Sequence, residues 1–91
     1  MENTFQLELL TPEKIVFSGT VVEVIAPGRE GYFGIQVGHL YFSTTLKKGI
    51  LTAKQKDESK QYLLDGGIIQ VTPEKVVVCA ENAFLKQEKT R

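Results

Sequence analysis

From Phe5 to Ala80 the chain reads as short runs of alternating or β-branched apolar residues, and a turn signal interrupts them about every ten residues. This pattern constrains the fold more than any other feature. Strict alternation buries one face of a pleated strand and wets the other, whereas a helix needs apolar residues at a spacing of three and four. Phe5, Leu7 and Leu9 alternate with Gln6, Glu8 and Leu10. Residues 15–17 form a short apolar run ended by Ser18-Gly19, and residues 20–26 a longer β-branched one. Residues 27–31 read as a loop, 32–36 as a short strand interrupted by Gly34, and Val37-Gly38-His39 as another loop. Residues 40–46 return to strand character before a turn at Lys47-Lys48-Gly49. A hairpin follows, with residues 50–55 and 61–65 flanking the polar stretch 56–60. After Gly66-Gly67 come strands over 68–71 and 75–80, separated by the turn Thr72-Pro73-Glu74. Strand length and turn spacing suggest an all-β sandwich or barrel, and the expectation is a single β-sandwich of about ten strands. It occupies residues 1–84, and residues 85–91 form a charged C-terminal tail with room for one helical turn.

Composition removes several function classes. Ninety-one residues suffice for one domain with a modest core. Apolar residues at 42% and charged residues at 24% give an ordinary globular balance. Eleven basic and eleven acidic side chains cancel, so no net field draws the chain to nucleic acid or anionic lipid. The one cysteine, Cys79, has no partner for an internal disulfide. The opening Met1-Glu2-Asn3-Thr4 lacks a basic, apolar leader, and no stretch approaches the roughly 20 apolar residues that span a bilayer. A cytosol-like compartment is the default, with no direct membrane insertion.

The candidate chemistry is thin. Gly28, Gly31 and Gly34 match neither the dinucleotide fingerprint nor the P-loop, and no helix follows them to hold a phosphate, so tight turns explain them. His39, the only histidine, with one distant cysteine makes no metal ligand set. Cys79 ends the run Val76-Val77-Val78, where a buried, inert thiol is expected. The carboxylates are scattered over turns and strands, and the lysines read as solubilising turn residues. No catalytic residue, metal site or cofactor is expected. Leu40-Tyr41-Phe42 is the suggestive segment, with two aromatics directly after a glycine loop. Alternation buries one of Tyr41 and Phe42 and turns the other outward as a contact surface, unless the domain covers both faces of the strand.

Five motifs then occur in order. They are Phe17-Ser18-Gly19, Gly31-Tyr32-Phe33-Gly34-Ile35-Gln36-Val37-Gly38-His39, Leu46-Lys47-Lys48-Gly49, Tyr62-Leu63-Leu64-Asp65-Gly66-Gly67-Ile68-Ile69-Gln70-Val71, and Val76-Val77-Val78-Cys79-Ala80-Glu81-Asn82-Ala83. The ordered set resembles the N-terminal domain of the epsilon subunit of the rotary proton-translocating ATP synthase, over about residues 4–84. The resemblance implies a β-sandwich without an active site, placed at the foot of the central stalk. Its implied partners are the gamma subunit and the polar loops of the membrane c-ring. Its implied place is peripheral, at the cytoplasmic face of the bacterial inner membrane. The family usually has proline where Val37 stands, often proline at Tyr41, and glutamate at Gln70. Its members commonly continue into a C-terminal helical hairpin. These 91 residues end on a charged tail, so neither inhibition of ATP hydrolysis nor nucleotide binding carries over.

The resemblance also implies sites. Arg29, Glu30, Gly31 and Tyr32 would face the c-ring, with a polar tip and one aromatic. Thr11, His39, Leu40, Tyr41 and Phe42 would face gamma. The rival reading is a generic β-sandwich module that binds a ligand or another protein.

Overall fold

The computed structural model describes residues 3–38 and 41–90, with side chains through residue 86; among them the chain forms eight strands and no helix. They are β1 (Phe5–Leu10), β2 (Ile15–Val21), β3 (Glu23–Gly28), β4 (Gly31–Gln36), β5 (Phe42–Lys54), β6 (Glu58–Val71), β7 (Lys75–Cys79) and β8 (Ala83–Thr90). Hydrogen bonds join them in the order β2-β1-β7-β6-β5-β3-β4, with β8 also on β6. All pairs are antiparallel except β1 with β7.

The long β5–β6 hairpin belongs to both layers of the sandwich. Its register is unbroken from Phe42↔Val71 to Lys54↔Ser59. One half of β6 carries β7 at Ile68–Val71, and the other half carries β8 at Glu58–Leu64. Inward-facing residues change parity between the halves. Leu46 on β5 is buried, and then Leu51 and Ala53; Tyr62 and Leu64 on β6 are buried, and then Ile69 and Val71. A strand with period 2 keeps its buried face unless it bends or twists through a corner. The parity change therefore marks where the hairpin passes from one layer to the other.

This corner explains the difference in strand count. Lys47-Lys48-Gly49 and Gly66-Gly67 read as turns, yet β5 and β6 run straight through them. Gly66 and Gly67 have φ of 85° and 150°, a conformation open to glycine and costly for other residues. At Gly67 a β-carbon would also run into the carbonyl oxygen of Cys79 on β7. The glycines there let two strands bend and approach, rather than reverse the chain. Two expected breaks vanish, and eight strands stand where about ten were expected.

Other boundaries shift for local reasons. The break expected at Ser18-Gly19 falls instead at Val22, and β4 continues through Gly34. The loop expected over residues 27–31 shrinks to the two-residue turn Arg29-Glu30, because Gly28 pairs with Gly31. The polar stretch 56–60 contributes only a tight turn, closed by the Gln55 N–H donating to the Glu58 carbonyl at 2.8 Å. Residues 83–90 form a strand rather than a helical turn, since the free edge of β6 offers backbone partners from Glu58 to Leu64.

One core holds the layers together. Phe5, Leu7 and Leu9 of β1 face inward as alternation predicts, with Val76 and Val78 of β7 beside them. The Phe17 and Tyr62 rings meet edge to face at 6.2 Å. The ion pairs Lys75–Glu8 at 3.2 Å and Lys54–Glu23 at 3.5 Å join neighbouring strands at the surface, where such pairs contribute little.

Candidate partner-binding surfaces

The β3–β4 hairpin places the four residues assigned to the c-ring at one tip. Arg29 and Glu30 occupy the turn itself and are exposed, as is Gly31. Tyr32 is 59% exposed, yet its hydroxyl accepts a hydrogen bond from the Ile50 N–H on β5 at 3.0 Å. Its neighbour Phe33 packs against the core and meets the Phe42 ring edge to face at 6.1 Å. A groove runs below the tip, lined by Arg29, Glu30, Tyr32, Phe33, Phe42 and Thr44.

The set assigned to gamma is divided by the fold. Phe42 belongs to the groove beneath the β3–β4 tip. Thr11 lies elsewhere, in the turn after β1, where its N–H donates to the Lys14 carbonyl at 3.0 Å. β6, β7 and β1 follow β5 in the sheet, so Thr11 lies across three strand spacings, on the order of 15 Å. His39 and Leu40 lie outside the described residues. The expectation that one of Tyr41 and Phe42 is buried needs correction. Tyr41 is 74% exposed and Phe42 41% exposed. Tyr41 precedes the strand, so alternation does not apply to it. Phe42 does share a row with buried Val71, Val76 and Leu7. It begins its strand at the rim of the core, where Phe33 covers only part of its ring.

Thr11 lines a second groove, mainly apolar, with Leu10, Pro12, Ile68, Cys79 and Ala80. Strand register explains it: Ile15, Leu10, Cys79 and Ile68 stand side by side across β2, β1, β7 and β6. Ile15 and Ile68 are 63% and 54% exposed. This row is an apolar stripe on the outer face of one layer. Cys79 is exposed within it, not buried as its valine neighbours imply. Val76 and Val78 take the inward positions of β7, so Cys79, between Val78 and buried Ala80, points outward. Sequence reading missed Ile15 and Ile68 as surface residues. The one available signal was the doublet Ile68-Ile69, of which a strand buries only one member.

A third exposed apolar pair, Leu63 and Phe84, stands directly opposed on the outer face of β6 and β8, beside Lys48, Asp65 and Asn82. Among the described residues, no group of three or more His, Cys, Asp or Glu side chains is placed to hold a metal. No helix among them is long and apolar enough to cross a membrane.

Two β-layers over one core, with a polar tip and apolar rows turned outward, define a β-sandwich domain. The chain belongs to the family described as ATP synthase, Delta/Epsilon chain, beta-sandwich domain, which it matches over residues 4–86. Among relatives, the ATP synthase epsilon chain of Desulfatibacillum aliphaticivorans is 46% identical over 84 residues, covering 91% of this chain and 60% of that one. The ATP synthase epsilon chain of Brucella anthropi is 39% identical over 84 residues, covering 91% and 62%. The present chain thus spans about three fifths of the length of these relatives. Its fold resembles a chain in the Euglena gracilis mitochondrial ATP synthase OSCP/F1/c-ring structure, with a TM-score of 0.86 at 23% identity, covering 93% of this chain and 55% of that one. It also resembles a chain in the Tetrahymena thermophila mitochondrial ATP synthase central stalk/c-ring structure, with a TM-score of 0.75 at 19% identity, covering 88% and 65%.

Proposed function

We propose that this chain is a non-catalytic central-stalk subunit of a rotary, proton-translocating ATP synthase, which links gamma to the membrane c-ring. The family match over residues 4–86 is the observation that carries this reading. The surface chemistry supports it: the described residues offer grooves, an apolar stripe and a polar tip, which suit contact between proteins. The β3–β4 tip, with Arg29, Glu30, Gly31 and Tyr32, faces the c-ring. Its charged turn suits a wet contact with short polar loops. Thr11, with His39, Leu40, Tyr41 and Phe42, faces gamma. The separation of Thr11 from Phe42 then requires gamma to reach two grooves rather than one patch. The chain is peripheral, held through that complex at the cytoplasmic face of the bacterial inner membrane.

Mild-detergent extraction of membranes, followed by capture on the tagged chain, tests the class. Recovery of gamma and c subunits is the expected result, and their absence from an otherwise intact capture overturns it. The tip assignment has its own test. Arg29→Glu combined with Glu30→Arg should lower ATP-driven proton pumping in vesicles while ATP hydrolysis persists. Undiminished pumping refutes the c-ring assignment.

A further inference from the structure

The exposed phenol of Tyr32 reaches across three strands. Tyr32 lies on β4 and pairs with Pro27 on β3, yet its hydroxyl accepts the Ile50 N–H of β5 at 3.0 Å. The position of this bond is informative. The β3–β5 register holds from Glu23↔Lys54 to Ile25↔Thr52 and resumes only at Gly28↔Leu46, so β5 carries extra residues opposite Ala26 and Pro27. Continued in step, the ladder would have set Ile50 opposite Pro27. The shift leaves the Ile50 N–H without a registered partner on β3, and the phenol oxygen supplies the acceptor. Gly49 completes the arrangement, because a β-carbon there would stand 2.8 Å from the Tyr32 hydroxyl and 2.8 Å from the Pro27 β-carbon. Three elements therefore meet: an aromatic from the hairpin, a proline beneath it, and a bare backbone at the corner of β5.

We propose that Tyr32 is a positioning residue whose hydroxyl clamps the β3–β4 hairpin to the corner of β5 and so fixes the exposed turn Arg29-Glu30 relative to the sandwich. A two-residue hairpin at the end of a sheet, next to an interrupted ladder, would otherwise flex at that interruption. The clamp joins the tip to the hairpin shared by both layers. Its functional consequence rests on the assignment of the tip as a contact surface. A clamp and a contact anchor differ in the atom they need: the anchor uses the ring, the clamp uses the hydroxyl.

Tyr32→Phe separates them, because it keeps the ring and deletes the acceptor. In the full chain, hydrogen exchange at the Ile50 amide and at the amides of the closing pair Gly28 and Gly31 should quicken by roughly 2- to 10-fold, as loss of one net hydrogen bond allows. Gly49→Ala should give the same signature by displacing the phenol, and the two changes together should be less than additive. In the assembled complex, Tyr32→Phe should lower ATP-driven pumping nearly as far as Tyr32→Ala does. Unchanged exchange at the tip in Tyr32→Phe overturns the clamp. Quickened exchange with full pumping also overturns the positioning role, provided the Arg29–Glu30 charge reversal does impair pumping. Should exchange quicken while neither the phenylalanine variant nor the charge reversal alters pumping, the clamp stands and the surface assignment is what fails.

Discussion

The corner of the β5–β6 hairpin and the tip of the β3–β4 hairpin look alike in sequence. Lys47-Lys48-Gly49 and Asp65-Gly66-Gly67 mark the first, and Pro27-Gly28-Arg29-Glu30-Gly31 marks the second. Both combine glycine with charged residues, and both read as reversals of the chain. Only the second is one. At the tip two exposed residues turn the chain, and Gly28 already pairs with Gly31. At the corner the strands continue, their buried face changes parity, and the backbone of Gly67 comes against the Cys79 carbonyl. Glycine signals a backbone requirement in both regions. It does not say whether the requirement is a reversal, a bend or a close approach, because only the neighbouring strand decides that.

The two regions should therefore fail differently when altered. The largest effect is expected at the corner. Gly67→Ala combines an unfavourable φ with a clash against backbone, for a cost of about 3 kcal/mol or more. A urea or thermal melt within 1 kcal/mol of the parent would break the comparison at its stronger end. Next comes the core beside the corner, where Leu51 is fully buried. Leu51→Ala should cost roughly 2–5 kcal/mol. At the rim of the tip groove, Phe42→Ala loses partial burial and its contact with Phe33, for about 1 kcal/mol. Tyr41→Ala should shift stability by no more than about 0.5 kcal/mol, as exposed substitutions do. A larger cost at Tyr41 than at Phe42 would reverse the burial assigned to this pair. The smallest stability change belongs to the tip itself. The Arg29–Glu30 charge reversal should leave the melt within about 0.5 kcal/mol, so that its effect on pumping reports contact rather than folding. A destabilised double variant would mean that the turn holds the fold as well as the partner.

Much of the fold was legible because period-2 alternation is a local rule. Phe5, Leu7 and Leu9 face inward as the pattern requires, and so do Val76 and Val78. The rule fails where the chain passes between layers, since parity there depends on a bend imposed by packing. At Cys79 the rule holds, since Val76, Val78 and Ala80 take the inward positions, and what misled was the unbroken apolar run, which suggested burial throughout. The candidate surfaces were legible only in part. The resemblance implied the Arg29–Tyr32 loop as a contact, and the fold sets it at an exposed hairpin tip beside a groove. The same reading grouped Thr11 with Phe42, which the sheet order sets three strands apart.

By itself the sequence determined the class, all-β, together with the family and the absence of a local catalytic motif, because these depend on residue type and spacing along the chain. Tertiary structure alone decided which glycines bend rather than turn, which hydrophobes line up as the stripe Ile15, Leu10, Cys79 and Ile68, and which atom Tyr32 employs. Each of those depends on a strand partner distant in sequence. Such a partner is chosen by the burial of one shared core and the satisfaction of the backbone, and neither is visible in any single segment.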